Sequence, residues 1–357
     1  MKNVGSMYIH IPFCNKICNY CDFSKMYYKK EWVVSYLKEL MLEIDSSYNN
    51  DILSTLYVGG GTPSCLAMNE LKALFNKINT FPFSDDYEFT FECNLEDIND
   101  ELMAFLKKNR VNRLSIGVES FNKRLLDVLG RSYNFDIREK ISLAKKYFDN
   151  INVDLIFGVY SETLDDLKEE LDNFLSLDVK HISLYSLILE NNTVLKSKEY
   201  KELTDDLQSD MYKMIIDVLK KNGFIHYEIS NFCKEGYHSR HNMAYWNNEN
   251  YYGFGLGASG YLSNVRYSNT RSINRYLKHG YRYEEDILSR KETMENEMIL
   301  GLRKVEGVNK ERFYKKYNCE IDDVFDTYKL SSNKDFYFID EDKLFISNSI
   351  LCDFVDI

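Results

Sequence analysis

The chain has 357 residues, of which 44% are hydrophobic, and a formal net charge of −11. Its length allows one large domain and a smaller one, and its acidity disfavours nucleic acid as a partner. No run of eighteen apolar residues predicts a membrane-spanning helix, and the first residues lack the apolar stretch of a secretory signal. We therefore expect a cytoplasmic protein, in which the eight cysteines do not form a disulfide framework.

Six short segments rich in Ile, Val, Tyr and Phe are typical of strands, and several are apolar enough to be buried on both faces. Amphipathic helical patterns separate them, most clearly at 163–175, where Thr163 is a suitable N-cap, and at 204–221. This alternation predicts a parallel sheet with right-handed crossovers, hence an α/β fold built as a partial (β/α)6 barrel. The predicted strands are 7–11, 55–59, 87–92, 113–118, 151–158 and 181–189.

The chain from about residue 290 has a pattern of its own. A helical pattern over 295–308 is followed by a strand-like segment, "DKLFIS", at 342–347. These features predict a small C-terminal α+β domain. The predicted division is a partial-barrel core at 1–200, barrel-associated helices with the "HNMAYW" segment at 201–289, and the small domain at 290–357.

Polar residues recur where the predicted strands end. The second strand runs into "GGGTPS" at 59–64, and later strands end at or beside Glu92, Glu119 and Asp154. The carboxyl ends of parallel strands meet at one edge of a sheet, where ligands bind in such folds. The pattern therefore predicts one mouth that binds a polar ligand beside the cysteine-bearing loop that follows the first strand.

Three cysteines, Cys14, Cys18 and Cys21, lie within eight positions of that loop. Buried structural cysteines would follow strand or helix periodicity, which these do not. A zinc site needs four ligands, and no second C-x-x-C pair follows, although His238 and His241 are possible distant ligands. Three thiolates can instead hold three irons of a cubane and leave the fourth iron free. The spacing favours an iron–sulfur cluster, with the other two interpretations still open.

The C-x-x-x-C-x-x-C spacing with Tyr20 before the last cysteine resembles the radical S-adenosylmethionine superfamily. Further segments resemble, in order, the coproporphyrinogen dehydrogenase-like group of that superfamily, and within it the HemW heme-chaperone branch. The resemblance runs from about residue 7 to about residue 310. The segments that carry it are "YIHIPFC", "CNYCDF", "YVGGGTPS", "RLSIGVESF", "VDLIFG", "HISLYSL", "YEISNF", "RHNMAYW" and "GLRKVEGV".

This resemblance implies a [4Fe–4S] cluster on Cys14, Cys18 and Cys21, with S-adenosylmethionine bound to the free iron through its amino and carboxylate groups. It implies that Glu92 takes the ammonium of this ligand and that Arg131 pairs with its carboxylate. The full set of residues implied to bind the cofactor is Tyr8, Tyr20, Gly60, Gly61, Thr62, Glu92, Glu119, Arg131 and Asp154.

The other members of that set have simpler implied roles. Tyr20 offers a flat face near the adenine, and Tyr8 lies beside the cluster loop. The carboxylates of Glu119 and Asp154 would accept hydrogen bonds from the ribose hydroxyls. Gly60, Gly61 and Thr62 let the backbone approach the ligand closely. At Glu119 this chain departs from the group, which more often has Gln there.

Two functions are compatible with this resemblance. The decarboxylating enzymes of the group carry a further cysteine where this chain has Phe23, and an N-terminal extension before the first strand. Both differences favour a heme chaperone, which binds heme and passes it to recipient hemoproteins. The resemblance also implies an electron donor and allows peripheral contact with membrane-bound recipients. The alternative is a radical enzyme acting on a tetrapyrrole, such as an oxygen-independent coproporphyrinogen III oxidase, an activity that these differences disfavour.

The segment "HNMAYW" matches the chaperone branch and makes His241 a candidate heme ligand, with Tyr245 and Trp246 available against a porphyrin face. The alternative is a histidine that only makes hydrogen bonds in a loop, with the aromatic residues closing the lower edge of the barrel. His10, in the first predicted strand, is expected to be a core histidine with its hydrogen bonds satisfied. Ser259 stands where the group commonly has histidine.

Overall fold

The computed structural model describes residues 4–355, so the outermost residues of the first and last predicted domains lie outside the described part. The strands are β1 Ser6–Ile11, β2 Phe13–Cys14, β3 Met26–Tyr27, β4 Leu53–Gly60, β5 Phe83–Asn94, β6 Arg113–Glu119, β7 Asn150–Phe157, β8 His181–Ser186, β9 Ile225–Glu228, β10 Asn231–Cys233, β11 Tyr251–Phe254, β12 Ser259–Leu262, β13 Val265–Asn269, β14 Arg282–Ile287, β15 Val308–Asn309, β16 Ser331–Ser332 and β17 Phe336–Phe338. The α-helices are α1 Lys30–Ser47, α2 Met68–Ile78, α3 Asp100–Lys108, α4 Lys123–Leu129, α5 Ile137–Lys145, α6 Leu164–Ser176, α7 Val194–Ser197, α8 Asp205–Lys221, α9 Arg240–Trp246, α10 Ile273–Tyr276, α11 Arg290–Gly301, α12 Lys310–Tyr317 and α13 Ser347–Leu351.

Twelve of these strands form one sheet, in the order β14-β13-β12-β11-β1-β4-β5-β6-β7-β8-β10-β9. The six predicted strands are its centre, and they lie side by side and parallel in chain order. The predicted partial barrel with its open sheet is therefore confirmed. This parallel arrangement brings the carboxyl ends of all six strands to one edge, where the candidate residues lie.

The helices form where the sequence predicts them, because their N-cap residues and their apolar stripes indicate the same segments. In α6, the Thr163 side chain caps the first turn through the backbone N–H of Asp166, and the Asp166 side chain bonds back to the Thr163 N–H. Leu167, Leu171 and Phe174 of the same helix are buried in the core. The helix predicted at 204–221 is likewise present as α8. These helices cover the sheet with apolar side chains and leave the strand ends free for polar ones.

The sheet extends beyond the prediction on both sides. β11 adds to β1 in parallel, and β12, β13 and β14 continue antiparallel from it. On the other side, β10 pairs antiparallel with β8, and β9 with β10. These six strands are only three to six residues long, too short for a clear alternation of apolar and polar residues.

The buried carboxylate of Glu43 in α1 joins the β11–β14 extension to the core. It accepts hydrogen bonds from the Tyr276 hydroxyl at 2.6 Å and from the Gly255 N–H at 2.9 Å. Two turns earlier in α1, the Tyr36 hydroxyl donates to the His10 carbonyl oxygen at 2.6 Å and accepts from the Leu256 N–H at 3.0 Å. The extension is thereby fixed against the end of β1, immediately before the cysteine loop.

The predicted strand at 342–347 is wrong. Residues Glu341–Ile346 form a 3₁₀ helix that leads into α13. Leu344, Ser347 and Ile350 are buried, and their spacing of three residues puts them on one side of a helix, whereas a strand would bury every second residue. The β-structure of this region is a small sheet of β15, β17 and β16.

The predicted division of the chain into domains at residues 200 and 289 stays a prediction. No helix within residues 4–355 combines the length and the apolarity that crossing a membrane requires.

Candidate functional site

The cysteine loop lies between β2 and β3, two-residue strands that pair in parallel. Cys14 ends β2 and is buried, whereas Cys18 and Cys21 lie in the turn and are partly exposed. The middle of the loop is held by Asn19, whose backbone N–H donates to the Leu129 carbonyl oxygen at 3.0 Å at the end of α4. This contact fixes the loop against the sheet, so the three thiols face the strand ends.

Gly61 and Thr62, implied to bind the cofactor, also support this loop. The Gly61 N–H donates to the Ile11 carbonyl oxygen, and the Thr62 N–H to that of Phe13, both at 2.8 Å. The Thr62 hydroxyl donates to the Cys14 sulfur at 3.6 Å. A Cβ atom at position 61 would lie 2.9 Å from that sulfur and 2.8 Å from the Phe13 carbonyl oxygen. Glycine is therefore required here for close packing.

Gly60 has a φ angle of +122°, and its α-carbon packs against the His10 ring, which would lie 2.6 Å from a Cβ atom there. His10 Nε2 lies 2.7 Å from the Ser24 carbonyl oxygen. Because a carbonyl oxygen only accepts, Nε2 carries the proton, and Nδ1 accepts from the Tyr8 hydroxyl at 2.9 Å. Burial lowers the pKa of His10 to about 4. His10 is a buried histidine with both ring nitrogens bonded, as predicted.

A cavity of about 720 Å³ opens at the strand ends beside this loop. All three cysteines line it, and so do all but one of the residues implied to bind S-adenosylmethionine; the exception is Tyr8. The predicted residues that it brings together are Cys14, Cys18, Cys21, Tyr20, Gly60, Gly61, Thr62, Glu92, Glu119, Arg131 and Asp154. The polar residues at the ends of the predicted strands therefore line a single cavity, as the sequence predicts.

Three carboxylates face this cavity, and burial raises the pKa of each. The pKa of Asp154 rises to about 7 because of burial and the neighbouring charges of Glu119 and Glu92. Glu92 accepts hydrogen bonds from the Tyr57 hydroxyl at 2.7 Å and the Gly60 N–H at 2.9 Å. These bonds partly offset the rise in its pKa that burial causes. Buried acids in this arrangement favour a positively charged ligand, which would stabilise their ionised forms.

Arg131 forms an ion pair with Glu119, with 3.0 Å between Nη2 and Oε1. Burial raises the pKa of Glu119, and the guanidinium opposes that effect. The Arg131 Nη2 group also donates to the Tyr20 hydroxyl at 3.4 Å, while its buried Nε has no hydrogen-bond partner among the described residues. The implied partner of Arg131 is a ligand carboxylate. The structure gives it the Glu119 carboxylate instead.

The donor set of the loop fits an iron–sulfur cluster. Within the described residues, no three His, Cys, Asp or Glu side chains converge closely enough to hold a single metal ion. A cubane makes a different demand, because each of its protein-bound irons takes its own thiolate. Burial raises the pKa of Cys14 to about 11 and also raises that of Cys21, against the opposing charge of Lys25.

The cavity has further lining residues that sequence reasoning missed, chiefly Asn94, Ser115 and Lys25. The Asn94 amide donates to the Thr62 hydroxyl at 3.2 Å. The signal for two of them is the two-residue period of strands, because Asn94 follows Glu92 by two positions in β5 and Ser115 precedes Gly117, which also lines the cavity, by two in β6. Lys25 lies in the loop and has no such signal.

A second cavity, of about 1,030 Å³, adjoins the first and shares Phe23, Gly60 and Glu92 with it. Tyr8 and the candidate heme ligand His241 line this second cavity. Four further tyrosines, Tyr57, Tyr185, Tyr245 and Tyr251, line it as well. The predicted site residues are thus divided between a polar cavity beside the cysteines and an adjoining aromatic one.

His241 lies in α9, at the wall of the second cavity. Its Nδ1 is 2.8 Å from the Thr55 hydroxyl and its Nε2 is 2.7 Å from the Tyr245 hydroxyl. Burial, with the charge of Arg113, lowers the pKa of His241 to about 3, so the ring is neutral. A neutral imidazole is a suitable iron ligand, but either nitrogen must first release its present partner.

Comparison with known proteins places these observations in a family. The Radical SAM superfamily model matches residues 8–174, and the HemN C-terminal domain model matches residues 288–334. A protein of Lactococcus lactis named heme chaperone HemW is 41% identical over 91% of this chain and 88% of its own length. The chain belongs to the HemW family. A HemW of Bacillus subtilis is 40% identical over 90% of this chain and 89% of its own length.

Among solved structures, coproporphyrinogen III oxidase (HemN) of Escherichia coli matches with a TM-score of 0.86, covering 99% of this chain and 90% of that one. Sequence identity is 19%, so this likeness concerns the fold alone. This chain and the HemN enzyme therefore share one fold, and the function must be argued from the family and the site.

Proposed function

We propose that this protein binds heme and passes it to recipient hemoproteins, with a [4Fe–4S] cluster and S-adenosylmethionine held beside the heme cavity. The observation that carries the proposal is 40–41% identity, over about nine-tenths of the chain, to two proteins named heme chaperone HemW. Phe23, where the decarboxylating enzymes have a cysteine, supports a carrier over an enzyme.

The first cavity is the proposed site of the cluster and its ligand. Cys14, Cys18 and Cys21 would hold the cluster, which supplies an open iron position and one-electron chemistry when bound. The chain itself offers two partly buried carboxylates, Glu92 and Asp154, that suit the positively charged end of S-adenosylmethionine. The remaining implied residues line the same cavity.

The second cavity is the proposed heme site, with His241 as the proposed iron ligand. Its aromatic walls suit a flat macrocycle. Ligation through Nε2 requires the Tyr245 hydroxyl to move away, while the Thr55 hydroxyl can keep its hydrogen bond to Nδ1 and orient the ring. Removing Thr55 would leave the imidazole without that support.

The proposal includes partners. A cluster that undergoes one-electron chemistry needs an electron donor, and a chaperone needs recipients. We include membrane-bound hemoproteins among the recipients, reached from a cytoplasmic location by peripheral contact.

The test is anaerobic reconstitution followed by titration with heme, recorded by absorbance, together with iron and sulfide analysis and low-temperature magnetic spectra. We expect saturable binding of heme near one equivalent, and a cluster spectrum that changes when S-adenosylmethionine is added. Cys18→Ala should lose the cluster. His241→Gln should alter the spectrum of bound heme if Nε2 ligates the iron, and Tyr245→Phe should not weaken ligation.

Incubation of the same preparation with coproporphyrinogen separates carrier from enzyme. Formation of protoporphyrinogen would refute the carrier function and establish the radical enzyme instead. Reconstituted protein that holds zinc in the loop, or a cluster that never responds to S-adenosylmethionine, would refute the proposed cofactor site.

A further inference from the structure

The mouth of the second cavity carries one cationic side chain. Arg271 is the single Lys or Arg residue among those that line this cavity in the described chain, residues 4–355. It is 63% exposed, and its guanidinium makes only long contacts, 3.5 Å to the Asp22 carbonyl oxygen and 4.0 Å to the Asp22 carboxylate. A guanidinium held so loosely keeps most of its N–H donors for a ligand.

The walls behind Arg271 are aromatic. Tyr245 and Tyr251 pack edge to face with ring centroids 4.5 Å apart, and both line the cavity with Tyr185 and Phe23. Phe23 is 69% exposed and Tyr185 is 42% exposed, so these two rings present apolar surface to a ligand. Such walls suit a flat conjugated molecule.

The charges along the cavity differ between its inner wall and its mouth. Glu92, shared with the first cavity, is a partly buried acid. His10 and His241 add no positive charge near pH 7, because burial lowers their pKa values to about 4 and about 3. Carboxylates on a ligand are therefore attracted to Arg271, the cationic side chain at the mouth.

We infer that Arg271 binds the carboxylate side chains of heme and thereby sets the orientation of the macrocycle, with its acidic edge at the mouth and its apolar edge inside. The inference rests on the proposed function, since it names a contact of the same ligand. Two N–H groups of one guanidinium can bind a carboxylate in parallel, which a lysine cannot reproduce.

A purely structural role for Arg271 would have different consequences. Its contacts to Asp22 join it to the cysteine loop, next to Cys21. If Arg271 served only to hold that loop, its loss would reduce the iron content of the reconstituted protein and would affect all porphyrins equally. If it binds carboxylates, its loss would change the discrimination between a free acid and its ester while the iron content stays the same.

The experiment compares heme with heme dimethyl ester, in which both carboxylates are blocked, as ligands of the anaerobically reconstituted full chain. We expect wild type to prefer heme, and Arg271→Gln to lower heme affinity about fivefold, a modest effect because the site is open to solvent. Affinity for the ester should not change. Arg271→Lys should restore only part of the preference. Salt at about 1 M should reduce the wild-type preference by screening.

Lys213→Gln is the matched control, because Lys213 on α8 is 59% exposed, pairs only at 3.7 Å with Asp210 and lines neither cavity. It removes the same charge and should leave the preference intact. An unchanged heme-to-ester ratio in Arg271→Gln, or a loss of iron in that variant, would overturn the inference while leaving heme binding established. Failure of wild type to bind heme at all would refute the proposed function and the inference together.

Discussion

Replacing Gly61 by alanine should weaken the hold of the cysteine loop on its metal cluster. The new Cβ atom would lie 2.8 Å from the Phe13 carbonyl oxygen, 2.9 Å from the Cys14 sulfur and 2.9 Å from the Pro12 carbonyl carbon. All are below 3.0 Å, a separation that Cβ atoms essentially never show, so something must shift. The neighbouring backbone cannot easily move away, because the Gly61 N–H bonds to Ile11 and the Met26 N–H to Pro12, at 2.8 and 2.7 Å.

Overpacking of this kind costs about 1–3 kcal/mol in the free energy of unfolding. The displaced atoms include a thiol of the loop, so we also expect affinity for the cluster to fall about tenfold, the lower end of the range for changes to groups that support metal ligands. The assay is anaerobic reconstitution followed by titration with an iron chelator, with the iron and sulfide that remain bound measured at each step.

The control is Gly236→Ala. Gly236 has a φ angle of +81° but nothing within 4 Å of a Cβ atom, so alanine there strains the backbone without touching the loop. If Gly236→Ala lost as much iron as Gly61→Ala, general destabilisation would explain both results. Wild-type chelator resistance in Gly61→Ala would refute the packing explanation directly.

Three further predictions concern the first cavity. Thr62→Val removes the hydroxyl that donates to the Cys14 sulfur, so the cluster should have a lower reduction potential in a redox titration; an unchanged or higher potential would contradict this role. Arg131→Gln leaves the buried Glu119 without its cation, so Glu119 should keep its proton more strongly in the folded state. The urea midpoint should then fall more steeply than in wild type as the pH rises above the ordinary pKa of a glutamate, about 4.3. The raised pKa of Asp154, about 7, means that the folded cluster-free protein binds more protons than the unfolded chain, so about 2–4 kcal/mol of stability should be lost as pH rises from about 4 to about 8. Asp154→Asn should remove that loss, and parallel pH profiles for the two proteins would contradict the shift.

The sequence was sufficient to predict the centre of the molecule, because each of its signals is local. Long apolar strands, capped helices such as the one after Thr163, and three closely spaced cysteines need no distant partner to be recognised. The β11–β14 extension was not predictable in this way. Its outermost strand, β14, is mostly exposed and reads "RYEEDI", so its pairing depends on a neighbouring strand and not on a buried face.

Charge pairing within the site was equally hard to predict. Glu119 and Arg131 are twelve positions apart, and their contact depends on a left-handed backbone at Glu119, where φ is +68°. A non-glycine residue rarely adopts that conformation, and the sequence gives no signal for it. His241 shows the same limit, because its motif predicts a function, whereas its hydrogen bond to Thr55 becomes visible only when α9 is packed against β4.

Phe23, Gly60 and Glu92 line both cavities, so a displacement of this shared wall changes the two sites together. Glu92 holds the Tyr57 hydroxyl with one oxygen and the Gly60 N–H with the other, and the Tyr57 ring lies 5.2 Å from that of His241. A ligand in the first cavity that attracts the Glu92 carboxylate therefore also alters the surroundings of the His241 imidazole in the second cavity. Such coupling is reciprocal, so whatever sulfonium binding does to heme affinity, heme must do to sulfonium affinity by the same factor.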